Sequence, residues 1–256
     1  MQYTPQIESL AREAGEVMKK YFKKVGSSEK ADGSPVTIAD KEINQLAMDW
    51  VKKNFPEHNF QGEEGSCIDK ESPFLWVCDP IDGTRSFLLG IPTSVFSIAL
   101  LKDGEPIAAV VYDPWIDSMY TAEKGKGAYC NGSKMQVSEK INMKRAEIGL
   151  CLWSESKYDF LPFFNEFFKE GSYFFHTGSV IHMGMIVALG KFEGLVFPHH
   201  TAHDAASLAL IIPEAGGVMT DIFGNPQKYD KPIKGFFAGN KAIHKKMVEM
   251  YNGLNK

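Results

Sequence analysis

The chain has 256 residues, 44% hydrophobic and 23% charged, an ordinary globular composition with ample length for a core in one large domain or two fused ones. Its net charge of −4 and pI near 6.0 argue against nucleic acid or an anionic membrane as a partner, so any phosphate recognition must come from metal ions and helix ends. Met1 leads into a polar helix-like segment with neither a signal-peptide pattern nor a membrane-length apolar run, and Cys67, Cys78, Cys130 and Cys151 lie too far apart for a C-x-x-C motif; a cytoplasmic protein with reduced, structural cysteines is expected.

Thr4 and Pro5 signal a helix start, and Ile7, Leu10, Ala11, Ala14, Val17, Met18, Tyr21 and Phe22 recur at helical spacing. Lys19, Lys20, Lys23 and Lys24 at its end read as a solvated face favoured by the helix dipole. Gly26 to Pro35 lacks any apolar period and reads as a mobile loop. Val36-Thr37-Ile38-Ala39-Asp40 then leads into a second helix, with Ile43, Leu46, Ala47, Trp50, Val51 and Phe55 on one face and a stop at Pro56. Asp40 stands where a helix cap would, or where a functional acid would. Gln61-Gly62-Glu63-Glu64-Gly65 sets two acids between glycines, a pattern common on surface turns.

Leu75-Trp76-Val77-Cys78-Asp79-Pro80-Ile81-Asp82-Gly83-Thr84 is an apolar strand that ends abruptly in two carboxylates. Pro80 fixes its own φ, so the chain leaving the strand is stiff and Asp79 and Asp82 can be held together. Close carboxylates repel unless a cation lies between them, and oxygen ligands, including the Ile81 carbonyl, suit a hard ion such as magnesium. Gly83 and Thr84 open a short helix over Arg85 to Leu89, whose amides would attract phosphate. The competing reading is a Pro-Asp turn that caps the next segment.

Strand patterns follow at Ser94 to Leu101, Ile107 to Tyr112, Asp117 to Glu123 and Gln136 to Ser138, with turns at Asp103-Gly104, Gly125, Gly127 and Asn131-Gly132. The second half alternates short strands (148–153, 192–197, 217–220, 235–238) with helices (158–169, 179–189, 204–212, 242–251), an α/β pattern. Phe160, Phe163, Phe164, Phe167 and Phe168 read as core or dimer surface. In His199-His200-Thr201-Ala202-His203-Asp204, Asp204 opens an apolar helix that Pro213 should kink or shorten; it is a third metal-binding acid or a cap.

Taken in order, V-T-x-x-D at Val36 to Asp40, G-E-E at Gly62 to Glu64, D-P-I-D-G-T at Asp79 to Thr84, Tyr112-Asp113-Pro114, G-x-G-A-x-x-N-G at Gly125 to Gly132, and D-A-A with E-A-G-G at Asp204 to Gly217 resemble the inositol monophosphatase superfamily over nearly the whole chain. The resemblance implies a mixed α+β fold, a five-layer αβαβα sandwich, with an N-terminal subdomain over 1–143 and a C-terminal one over 144–256. It implies a magnesium-dependent phosphomonoesterase and a homodimer. Position by position, Glu63, Asp79 and the Ile81 carbonyl would hold one Mg2+ and Asp79, Asp82 and Asp204 another, with a looser third ion near Glu63. Asp40 and Thr84 would orient the attacking water, and the Gly83 and Thr84 amides would cradle phosphate. Lys30 lies in what resembles the family's mobile active-site loop.

The leaving-group end departs from the inositol pattern. Asp82, Gly83, Thr84, Asp204, His176 and Phe197 are expected to line the substrate and its phosphate, but Phe197 stands where an acid is usual and has no acceptor for a hydroxyl, His203 where tryptophan is usual, and His176 where serine is usual. Together with Thr84-Arg85-Ser86-Phe87, these changes keep histidinol phosphate, fructose bisphosphate and phosphoadenosine phosphate beside inositol monophosphate as substrates. Two rivals remain: a zinc hydrolase built on His199, His200 and His203, and an inactive binding protein on the same fold.

Overall fold

Along the central strands, Val77, Val95, Ala99 and Val111 are buried toward one face and Trp76, Cys78, Ile98 and Val110 toward the other, so helices must cover both sides of the sheet. The computed structural model describes residues 1–30, 33–152 and 158–254. The chain runs from α1 (Thr4–Tyr21) through the minimal antiparallel pair β1 (Ser28–Glu29) and β2 (Pro35–Val36) to α2 (Ile38–Asn54). Next come β3 (Asn59–Gly62), β4 (Ser66–Cys67), β5 (Phe74–Asp82), α3 (Thr84–Leu89), β6 (Val95–Lys102), β7 (Glu105–Asp113), β8 (Ser118–Glu123), β9 (Ala128–Cys130) and β10 (Ser133–Lys134). The second half comprises β11 (Glu147–Leu150), α4 (Leu161–Lys169), β12 (Tyr173–Phe175), α5 (Val180–Ala188), β13 (Gly194–Phe197), α6 (Leu208–Glu214), β14 (Val218–Thr220), β15 (Phe236–Gly239) and α7 (Lys241–Leu254).

Among the described residues the first half forms an eight-stranded sheet in the order β10-β9-β8-β7-β6-β5-β3-β4, antiparallel except where β3 runs parallel to β5. The second half forms a five-stranded sheet, β12-β11-β13-β15-β14, parallel on the β12 side and antiparallel on the β14 side. α1 and α2 cover the outer face of the large sheet, α5 and α6 fill the space between the sheets, and α4 and α7 cover the far face of the small one. The layers are therefore αβαβα, the expected mixed sandwich.

Several expectations shift in detail. Gln136 to Ser138 is not a strand: Val137 N–H donates to the Ala215 carbonyl at 3.0 Å, so the segment is tied to the end of α6 rather than to a sheet neighbour. The Asn131-Gly132 turn instead joins β9 to β10. β3, β4 and β12 are too short to show a period. The strand expected over 148–153 ends at Leu150, and its final residue lies outside the described residues. The Gly26 to Pro35 segment contains β1 and the first residue of β2, which pair antiparallel. Of the phenylalanine cluster, Phe160, Phe163, Phe164 and Phe167 are buried, while Phe168 is 64% exposed.

Candidate active site

Residues three apart on a regular strand point to opposite faces. Asp79 and Asp82 nonetheless share a site, because the register of β5 against β6 shifts between them and the extra backbone turns the second carboxylate round to join the first. Gly83 completes the turn at φ +89, where a side chain would be strained and its Cβ would press on Ser179 Cβ and the Gly178 carbonyl.

Asp82 is held by the first turn of α5: Ser179 Oγ donates to it, as do Val180 N–H at 3.2 Å and Ile181 N–H at 2.7 Å. Burial, with Asp204 nearby, pushes its carboxyl up to about 7 against these bonds. Asp204 arrives from the loop before α6, accepts from Thr201 Oγ1, and has His203 Nε2 at 3.7 Å from Oδ2. It does not open the helix as expected. The chain first makes irregular turns, in which the Ala202 carbonyl accepts from Ala205 and Ala206, and Pro213 then sits inside α6 without ending it.

Glu63 is tethered through its own N–H to the Cys78 carbonyl at 3.1 Å, which places the acid beside the end of β5. Lys30 Nζ lies 2.5 Å from Glu63 Oε1 and also pairs with Glu64; these acids raise the Lys30 pKa despite burial. Asp40 is both a cap and a site residue. Oδ2 accepts from Thr37 N–H at 2.8 Å and Thr37 Oγ1 at 2.5 Å, closing the capping box of α2, while Oδ1 lies 3.2 Å from Thr84 Oγ1. Burial raises its carboxyl to about 6. Thr84 Oγ1 is also 3.1 Å from the Ile81 carbonyl oxygen.

Asp79 lies at the centre, 2% exposed, and its Oδ1 has no hydrogen-bond partner among the described residues. Burial first, then Glu63, Asp82, Asp204 and Asp40, drive its pKa well up. Ligand atoms of Asp79, Asp82 and Asp204 lie within 4.8 Å of one another, as do those of Glu63, Asp79 and His203. A buried, unpartnered carboxylate oxygen among like charges is costly unless a cation joins it, and this donor set fits a hard divalent ion.

Phe197 is fully buried against Phe236 and His199, so its side chain reaches no substrate, contrary to its expected place among the substrate contacts. His176 is exposed on the loop that crosses α3, where its Nδ1 accepts from Gly178 N–H at 3.1 Å. The three-histidine zinc site is not assembled. His199 packs on Phe197 and His200 is exposed, so among the described residues only His203 joins a metal-competent group. Sequence reasoning missed Ser179 and Thr201. Their signals were local, a serine at a helix start and T-x-x-D.

The inositol monophosphatase family profile matches residues 2–254. The chain belongs to the inositol monophosphatase family. It is 33% identical to the fructose-1,6-bisphosphatase/inositol-1-monophosphatase of Aquifex aeolicus, covering 90% of this chain and 88% of that one. The extragenic suppressor protein suhB of Bartonella henselae superimposes with a TM-score of 0.91 at 27% identity, covering 98% of both chains. An IMPase/NADP phosphatase solved with Mg2+ and phosphate superimposes at 0.85, with 26% identity over 97% of this chain and 94% of that one. Membership of the family makes this chain a phosphatase. No helix among the described residues is long and apolar enough to cross a membrane.

Proposed function

We propose that this family member is a magnesium-dependent phosphomonoesterase acting on a small polyol or sugar phosphate. Inositol monophosphate is the first candidate; histidinol phosphate, fructose 1,6-bisphosphate and phosphoadenosine phosphate are the alternatives. The observation that carries the reading is the buried Asp79 carboxylate, unpartnered at Oδ1 and ringed by Glu63, Asp82 and Asp204. Glu63, Asp79 and the Ile81 carbonyl would hold one ion, Asp79, Asp82 and Asp204 a second, with a looser third near Glu63. When bound, such ions neutralise phosphoryl oxygens, acidify the attacking water and stabilise the leaving alkoxide.

The remaining work falls to the chain. The Thr84 hydroxyl accepts a hydrogen bond from the attacking water and donates its own hydrogen to Asp40 Oδ1, which aims the water at phosphorus. Asp40, raised to about 6 by burial, is basic enough to take the proton that passes through Thr84 Oγ1. The Gly83 and Thr84 amides face the phosphate, and the α5 cradle keeps Asp82 in place. No acceptor from Phe197 meets the leaving group, so selectivity there rests on other residues, His176 among them. A homodimer belongs to the same reading, with the exposed Tyr173 and Phe175 on edge strand β12 offering apolar surface; sedimentation tests it. A cytoplasmic location is proposed on the free cysteines.

In Asp79→Asn, magnesium-dependent phosphate release should fall by more than the ~100-fold typical of losing a residue that merely supports a metal ligand, with an unchanged circular dichroism spectrum. Near-normal turnover would refute the assignment. Assaying the four phosphate esters side by side then selects the substrate.

A further inference from the structure

We propose that His203 is itself a ligand of this centre. The ion beside Glu63 and Asp79 then sits in a mixed nitrogen–oxygen site, which still accepts Mg2+ through its carboxylates but holds a first-row transition ion, Mn2+ or Co2+, more tightly than oxygen donors alone would. The inference rests on the metal-centre reading above and goes beyond it, since that reading uses only oxygen donors.

The geometry is specific to one histidine of the cluster. A His203 ring nitrogen, a Glu63 oxygen and an Asp79 oxygen all lie within 4.8 Å of one another, and His203 Nε2 is 3.7 Å from Asp204 Oδ2. Ligands that share one ion at ~2.1 Å stand roughly 3–4 Å apart, so small rotamer adjustments close the shell. The His203 side chain is 19% exposed, reachable from solvent yet restrained, and Asp79, which shares the group with it, carries the buried oxygen that has no partner among the described residues. Lys30 is bonded to Oε1 of Glu63, which leaves Oε2 for an ion. His199 and His200 point elsewhere, so a single imidazole enters an otherwise acidic shell.

One nitrogen donor changes what the shell prefers. Mg2+ keeps oxygen ligands and surrenders water reluctantly, whereas affinity for imidazole rises along the first transition row from Mn2+ through Co2+. Replacing His203 should therefore weaken transition-ion binding while leaving the carboxylate contribution to Mg2+ in place.

The test uses the full chain, stripped with EDTA and reloaded with Mn2+ for pulsed EPR. Modulation from a coordinated imidazole 14N is expected in the native protein and should be absent from Mn2+-loaded His203→Gln. Calorimetric titration should show Co2+ binding about tenfold or more weaker in His203→Gln, with Mg2+ affinity changed less than about twofold. Bound Mn2+ without 14N modulation in the native protein overturns the proposal and leaves the carboxylate centre standing. Equal weakening for Co2+ and Mg2+ overturns it too, since it marks a role in shape alone. Failure of the native protein to bind Mn2+, Co2+ or Mg2+ removes the metal centre and the proposal together.

Discussion

One hydroxyl hydrogen on Thr84 faces two acceptors, Asp40 Oδ1 at 3.2 Å and the Ile81 carbonyl at 3.1 Å, and only when it serves Asp40 can a proton taken from water be relayed to that carboxylate. Thr84→Val removes the hydroxyl at similar volume, and kcat should fall by roughly 10²–10⁴-fold. Thr84→Ser keeps the hydroxyl and should restore most of the rate in the same steady-state assay. Asp79 carries the opposite trade: its charge is costly in the metal-free protein. Asp79→Asn should relieve about 1 kcal/mol of like-charge repulsion and raise the Tm of EDTA-treated protein by about 2–4 °C by calorimetry. A lower Tm would mean that Asp79 is held by contacts other than a cation.

At the scale of elements, α1 has no cap of its own, since Tyr3 precedes it and its side chain makes no capping bond. Glu123, at the end of β8, caps it from across the fold. Its carboxylate accepts from the N–H groups of Gln2 at 2.8 Å, Tyr3 at 2.7 Å and Thr4 at 3.1 Å, and pairs with Lys126. Burial opposes the charge, but Lys126 and the three amides outweigh it and bring the carboxyl from 4.5 down to about 2. A carboxyl lowered on folding stabilises fully above its unfolded pKa and loses that contribution as pH falls through the folded one. The stabilisation is therefore complete above pH 4.5 and fades towards pH 2. Glu123→Gln should cost about 2 kcal/mol at neutral pH in urea unfolding and narrow the gap to native protein as acid is added. A gap independent of pH would show that charge plays no part.

For the molecule as a whole, the central core is shared. Val77, Ala99, Val111 and Ala122 of the large sheet pack in one cluster with Val180, Met183, Leu208 and Ile211 of α5 and α6 and with Leu195 and Phe236 of the small sheet. We propose a subdomain boundary at 143/144, between β10 and β11, with an inner core that the two halves share. Residues 1–143 expressed without the rest should bind a hydrophobic dye strongly and give poorly dispersed amide resonances, while the full chain unfolds in one calorimetric transition. A well-dispersed spectrum from the fragment would show that the halves fold independently.

The chain's own order of residues determined the parts governed by local rules. The helical spacing from Ile7 to Phe22, the D-P-I-D-G-T run and the β6–β7 hairpin were all legible, because periodicity, proline and glycine act on their immediate neighbours. What tertiary structure alone decided lies between residues far apart in the chain. It buried Phe197 among aromatic rings, set Ser179 and the α5 amides on Asp82, gave α1 its cap from Glu123, and brought His203 alone of its cluster to the carboxylates. Each of those outcomes depends on how whole faces pack and which charges are left without water. No window of neighbouring residues contains that information, because packing and desolvation are properties of the assembled layers.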